Sequence, residues 1–188
     1  MPKPHAETES RIMDLAENMI RRNGYNGFSF REIAAGVGVK SSSVHYYFPT
    51  KADLGACVAR RYTDRFLDAL GDPEDSSEDA QHLVSKLHGE FARALSSDGQ
   101  MCLCGVLAAE VTGLPETVAE EAKGFFDRTD AWLQKGLKKT AWGGRLSAEE
   151  IERQSLAVLA QLEGGMLIAR VQDRPALFDL LKPQLSDK

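Results

Sequence analysis

The chain has 188 residues, 43% of them hydrophobic and 27% charged, with a formal net charge of −5; that length closes one sizeable core or two small ones. No apolar run approaches the roughly 20 residues that span a bilayer, and Met1-Pro2-Lys3-Pro4-His5 lacks the apolar core of a secretory leader, so a cytoplasmic location with no membrane partner is expected. Cys57, Cys102 and Cys104 are too few and too unevenly placed for a disulfide framework.

Charge is divided along the chain. Residues 1–51 hold 7 Lys/Arg against 5 Asp/Glu, and the remaining 137 hold 16 against 23. A positive front and an acidic rear favour contact with a polyanion through the front alone.

In chain order, Ala6 to Arg22 is predicted as a first helix, because Ile12, Leu15, Ala16, Met19 and Ile20 make one apolar stripe at helical period. Asn23-Gly24-Tyr25-Asn26-Gly27 ends it, and Phe28 and Phe30 are placed to plug a small core. Ser29 and Glu32 have the spacing of a capping box, so a second helix begins near Phe30. Gly36 and Gly38 supply the backbone freedom that ends it and turns the chain into a third helix at Lys40 or Ser41.

That third helix carries Lys40, Ser41, Ser42, Ser43, His45, Tyr46 and Tyr47, with only Val44 and Phe48 as inward anchors. Hydroxyls, phenols and a lysine offer hydrogen-bond donors to phosphate oxygens and base edges and make a poor core. Pro49 stops the helix, and Thr50 with Asp53 caps a long fourth one. The unit reads as a helix-turn-helix with a supporting helix behind it.

The run I-A-x-x-x-G-V-x-x-x-S-V-x-Y-Y-F-x-T-K, from Ile33 to Lys51, resembles the DNA-binding signature of the TetR family of bacterial transcriptional regulators. The resemblance implies an all-α fold, with an N-terminal helix-turn-helix domain over 1–50 and a larger ligand-binding and dimerisation domain over 51–188. The fourth helix, about 51–70, connects the two. It also implies a homodimer formed through the last two helices, reading a palindromic double-stranded operator, and a small-molecule effector in the rear domain. Lys51 would lie near the DNA backbone, and Arg31 could contact it from the second helix. Ser42 stands where the family usually has glycine and His45 where it usually has tyrosine, so the operator contacts are this chain's own.

Behind the front, Leu54, Val58, Tyr62 and Phe66 mark the fourth helix, and the stretch from Gly71 to Ser77 is a polar linker. A fifth helix runs from about Glu78 to Leu95, and Ser96-Ser97-Asp98-Gly99 is a further break. The apolar segment Met101 to Glu110 is a short buried sixth helix. The seventh, from Pro115 to about Thr140, carries Val118, Ala122, Phe126, Leu133 and Leu137 on one side, with Phe125, Trp132 and Gly136 on the adjacent arc. Ser147 and Glu150 form a second capping box for a helix to about Arg170, with Ile151, Leu159, Leu162, Met166 and Ile168 apolar. Gly164-Gly165 in its middle implies a close backbone approach. Leu177, Phe178, Leu180 and Leu181 mark the last helix.

Enzyme constellations are absent: the four histidines show no metal-ligand spacing, there is no nucleophile elbow, phosphate loop or dinucleotide fingerprint, and no cofactor is expected. The resemblance therefore implies a regulator, a repressor that leaves its operator when a small molecule binds. Phe91, Met101, Cys102, Leu107, Phe125, Phe126 and Trp132 are the candidates to edge the effector cavity. Two alternatives stand beside it. One is an electrophile- or redox-sensing regulator acting through Cys102 or Cys104; the other is an all-α binding protein or enzyme whose helix-turn-helix only packs.

Overall fold

The computed structural model describes residues 4–74, 79–96 and 100–185. Among them every regular element is helical: α1 (Pro4–Asn23), α2 (Phe30–Val37), α3 (Ser41–Tyr47), α4 (Lys51–Leu70), α5 (Ala80–Ser96), α6 (Leu103–Ala109), α7 (Glu116–Lys139), α8 (Ala148–Val171) and α9 (Ala176–Leu180). Single 3₁₀ turns cover Tyr25–Gly27, Val111–Gly113 and Gly143–Arg145. The all-α expectation holds. Asp75-Ser76-Ser77, the expected start of α5 at Glu78, and Ser97-Asp98-Gly99 lie outside the described residues. Two compact units divide the chain: Met1–Asp64 with Leu103–Phe125, and Arg65–Cys102 with Phe126–Lys188.

In the first unit local chemistry sets the element boundaries. The Ser29 hydroxyl accepts the Glu32 N–H at 3.3 Å and donates to the Glu32 carboxylate at 2.7 Å, so half of the expected capping box forms and a side-chain pair replaces the rest. Gly38 ends α2 in the left-handed region at φ 78°, ψ 35°, its N–H returning to the Ala34 and Ala35 carbonyls. Gly36 does something different from what its sequence position suggests. It stays helical, and a Cβ there would overlap Leu15 of α1, so its smallness allows close packing and it takes no part in the turn. Thr50 and Asp53 pair reciprocally, Thr50 N–H to carboxylate at 2.9 Å and Asp53 N–H to hydroxyl at 3.1 Å, which starts α4 at Lys51.

Ile12, Ala16, Ile20, Ile33, Val44, Leu54 and Val58 are wholly buried between these helices, each branched aliphatic chain contributing about 2 kcal/mol of transfer free energy and the Ala16 methyl less. Phe28 joins them. Phe30 is only half-buried and turns its ring edge to His45, 4.7 Å between centroids, so one of the two expected core plugs lies at the surface.

In the second unit Ser147 and Glu150 form the complete capping box that opens α8. Leu83, Leu87, Phe91, Leu133, Leu137, Leu162 and Met166 are buried to 1% exposure or less. The two mid-helix glycines differ: a Cβ on Gly165 would sit 3.3 Å from the Phe178 ring of α9, whereas one on Gly164 would meet nothing. Only the former answers to a close approach. His88 of α5 stacks on the same Phe178 ring, 4.5 Å apart and 8° from parallel.

Two stripes differ from the period-four reading. Along α7 the fully buried residues are Val118, Ala122, Phe125, Thr129, Leu133 and Leu137, none above 2%, and Phe126 is half-exposed. A step of four at every turn overshoots the 3.6-residue repeat, and the structure corrects it with a step of three. On α8, Ile168 is 44% exposed and lies outward with Leu156, Leu167 and Val171.

Candidate nucleic-acid interface and effector region

The outer face of α3 is built from what its two anchors leave over. Val44 is wholly buried and Phe48 is 3% exposed, which fixes the roll of a helix too short to hold itself. Lys40, Ser41, Ser42, His45 and Tyr46 are then exposed, Ser43 and Tyr47 half-buried, and Arg31 stands exposed on α2. Tyr46 is 74% exposed, a large apolar ring that no packing requirement explains. The structure thus places seven of the nine sequence candidates on one short polar helix or at its N-cap, with Arg31 on the preceding helix.

Lys51 is placed otherwise. Its ammonium lies 4.4 Å from the Phe28 ring centroid and 4.9 Å from that of Tyr25, a cation–π seat. Burial lowers its pKa, against the opposing fields of Glu32 and Glu110. Its first partners are therefore aromatic rings, and any outward contact it makes is secondary.

Two features of this unit left no trace in the sequence reading. Glu110, just past α6, accepts the backbone N–H of Tyr25 at 2.8 Å. Gly24 makes room for it, since a Cβ there would overlap the Glu110 carboxylate, and its φ of 79° with ψ of 175° is a conformation that only glycine holds easily. The other is His5 on the first turn of α1, whose Nδ1 lies 2.9 Å from the Tyr47 hydroxyl, with its ring 6.0 Å from both Tyr46 and Tyr47. Both link residues far apart in the chain, and no local pattern announces them.

The effector candidates are distributed between the units. Leu107 and Phe125 belong to the first, both fully buried, with Phe125 against Tyr62 at 5.8 Å. Phe91, Met101, Cys102, Phe126 and Trp132 belong to the second. Phe91, Met101 and Cys102 are core residues by exposure, and Phe91 meets Phe66 edge-on at 5.3 Å. Trp132 lines an open cleft of about 560 Å³ together with Leu67, Asp68, Pro73, Arg128 and Lys135, and its indole N–H donates to the Gly71 carbonyl at 2.7 Å.

Cys102 hydrogen-bonds the carboxyl of Glu163 on α8. Burial pushes that carboxyl up to about 7, the Cys102 bond opposing the shift, and its Oε1 is buried with no hydrogen-bond partner. Cys57, in the first unit, is half-buried with its thiol pKa raised by burial. Among the described residues no group of three or more His, Cys, Asp or Glu side chains could hold a metal ion, and no helix is long and apolar enough to cross a membrane.

Residues 12–56 match the model of the bacterial regulatory proteins of the tetR family. The chain is similar to an HTH-type transcriptional regulator in the lacX 3′ region of Lactococcus lactis subsp. lactis, 24% identical over 93% of this chain and 91% of that protein. It is 26% identical to the HTH-type transcriptional repressor DhaR of Mycobacterium sp. (strain GP1) over 66% of this chain and 62% of the other. A TetR transcriptional regulator from Legionella pneumophila shares the fold with a TM-score of 0.86 and 29% identity, over 97% and 95% of the two chains.

Proposed function

We propose that the chain, which matches the tetR-family model over residues 12–56 and resembles transcriptional regulators in sequence and fold, is a homodimeric TetR-family repressor that leaves a palindromic operator when a small molecule binds its second unit. Such a regulator works on chromosomal DNA in the cytoplasm. The observation that carries the reading is the outer face of α3, where lysine, serine, histidine and tyrosine are exposed around two buried anchors. Two such helices one turn of B-DNA apart, about 34 Å, read successive major grooves. Ser42, Ser43, His45 and Tyr46 are suited to base edges, and Lys40, Ser41, Tyr47 and Arg31 to phosphates; Lys51, held over two rings, is the weakest contact of the nine. Leu156, Leu167, Ile168 and Val171 of α8, with Leu180 of α9, are 44–82% exposed, an apolar face suited to a second copy. A named repressor among the relatives supports the sign of the regulation.

The effector acts by its difference in affinity for two states of the dimer. Within the second unit, Phe91, Met101, Cys102, Phe126 and Trp132 favour a small, largely apolar or aromatic compound. Fluorescence anisotropy on a labelled fragment of the chain's own upstream DNA, at two salt concentrations, tests the reading. Tight binding that weakens with salt and resists competition by unrelated DNA is expected. Weak binding equal on every sequence, by folded dimeric protein, would refute it.

The Cys102–Glu163 hydrogen bond favours one second reading, an electrophile sensor. A carboxyl with a pKa of about 7 can take the thiol proton at neutral pH. Sulfur then bonds the β-carbon of an unsaturated aldehyde, and the proton is delivered to the α-carbon. Equal release of DNA from wild type and Cys102→Ser on adding the aldehyde would exclude this route. Release lost in Cys102→Ser alone, with Cys104→Ser unaffected, would establish it.

A further inference from the structure

We propose that His5 is a positioning residue of the DNA-binding face: its imidazole orients the Tyr47 hydroxyl toward a backbone phosphate, and DNA binding takes up a proton at His5. The inference rests on the reading of α3 as the DNA-contacting helix. It starts from the 2.9 Å separation between His5 Nδ1 and Tyr47 Oη. A phenol has one proton to give. When Nδ1 is an unprotonated acceptor, Tyr47 directs that proton into the imidazole and presents only lone pairs outward, which repel a phosphate. When Nδ1 carries a proton, the imidazole donates to Oη, and the phenol proton is left for the phosphate. The neutral Nδ1–H tautomer can donate in the same way, but the imidazolium does so in every case and adds a positive charge beside the DNA, so a nearby phosphate favours the protonated form.

The surroundings allow the switch. His5 is exposed on α1, so protonation costs no burial. The groups of α3 that face it are Tyr46 and Tyr47, whose rings lie 6.0 Å away and whose planes are tilted to its own by 46° and 57°. Glu7 and Glu9 are the charged side chains nearest on its own helix. His45, the histidine of α3 itself, has its ring against Phe30 and its Nδ1 3.4 Å from the Pro49 carbonyl oxygen. Tyr46 and Tyr47 meet edge-on at 5.3 Å, so fixing Tyr47 also steadies the most exposed ring of the face.

The direction follows from linkage. DNA binding favours the protonated imidazole and raises its pKa in the complex. The gain in affinity is therefore complete below the free-histidine pKa of about 6.5 and is lost as pH rises through the higher value in the complex.

The test is anisotropy on the labelled upstream fragment from pH 5.8 to pH 8 at fixed ionic strength, with wild type, His5→Ala, His45→Gln and Tyr47→Phe, each checked for folding by circular dichroism. Wild type is expected to bind more tightly at the acid end by up to about tenfold per protomer, and so up to about a hundredfold per dimer, the effect of a one-unit rise in each imidazolium pKa. His45→Gln keeps that gain; His5→Ala loses it and at pH 8 binds at least as tightly as wild type, its Tyr47 hydroxyl being freed, while Tyr47→Phe keeps only the part that comes from the imidazolium charge. A flat wild-type profile, or the full gain surviving in either His5→Ala or Tyr47→Phe, overturns the inference and leaves the regulator reading intact. Sequence-independent, weak binding at every pH would overturn both.

Discussion

The two units differ in how completely they satisfy themselves. In the first, most polar groups that reach the interior have assigned partners: Arg61 pairs through its terminal nitrogen with Asp14 at 2.7 Å and Glu17 at 3.5 Å, its Nε being buried without a partner, Arg11 donates to the Val37 carbonyl at 2.7 Å, and Glu110 takes the Tyr25 N–H. The second leaves Thr129 Oγ1, Asp130 Oδ1 and Glu163 Oε1 buried without partners and exposes five large aliphatic side chains on α8 and α9. Buried acceptors without donors cost about 1–3 kcal/mol each, and contiguous exposed apolar surface marks a binding face. Among the described residues the first unit leaves fewer buried polar atoms without partners and presents a polar helix face; the second leaves more of them and carries an exposed apolar stripe.

That contrast can be broken most forcefully at the exposed stripe. Leu167→Glu with Val171→Glu is expected to give a folded monomer in sedimentation velocity and to weaken operator binding by roughly 100-fold, through loss of bivalency. A double variant that still sediments as a dimer would remove α8 from the interface.

Glu163 sharpens the same contrast through pH. Its folded pKa is raised to about 7 from 4.5, so the folded state holds the proton where the unfolded chain releases it. Relative to Glu163→Gln, wild type loses stability as pH rises from 4.5 to 7, on the order of 3 kcal/mol, and no more above that. Urea unfolding of both proteins at pH 4.5, 6 and 8 measures it; parallel stability curves would mean that the carboxyl is not held as described.

In the first unit the largest single polar effect is expected at Glu110. Glu110→Ala strips a charged acceptor from the Tyr25 N–H and is expected to cost about 2 kcal/mol, with faster hydrogen exchange confined to the Tyr25–Gly27 turn. Unchanged exchange there would mean that the turn holds itself.

The smallest effect belongs to the helix cap. Ser147→Ala removes one hydroxyl from the start of α8 and is expected to cost about 1 kcal/mol, read as a lowered thermal midpoint. No change would show that tertiary packing alone sets that helix start.

What the sequence made legible was local. The boundaries of α2, α3 and α4 follow from a cap at Ser29, a left-handed Gly38, a stop at Pro49 and the Thr50–Asp53 pair, all acting within four residues. The α3 face was equally legible, because two anchors in a short polar run fix which side is out. Long helices were less so. A small error in period accumulates over 24 residues, which is why Phe125 and Phe126 exchange places and Ile168 turns outward. Least legible were contacts between distant residues: His5 with Tyr47, Glu110 with Gly24 and Tyr25, and Lys51 over its rings leave no periodic trace. The effector candidates suffer from the same cause, since an apolar residue that packs a core and one that edges a cavity have the same spacing.

The central claim is that two copies of α3 read DNA from one face of the duplex. Hydroxyl-radical footprinting of the protein on its own upstream fragment tests this most directly. Two protected patches centred about one helical turn apart, roughly 10 base pairs, symmetric about a palindrome and absent in Tyr46→Ala, are predicted. A single patch, or uniform protection that follows no sequence, would contradict the account.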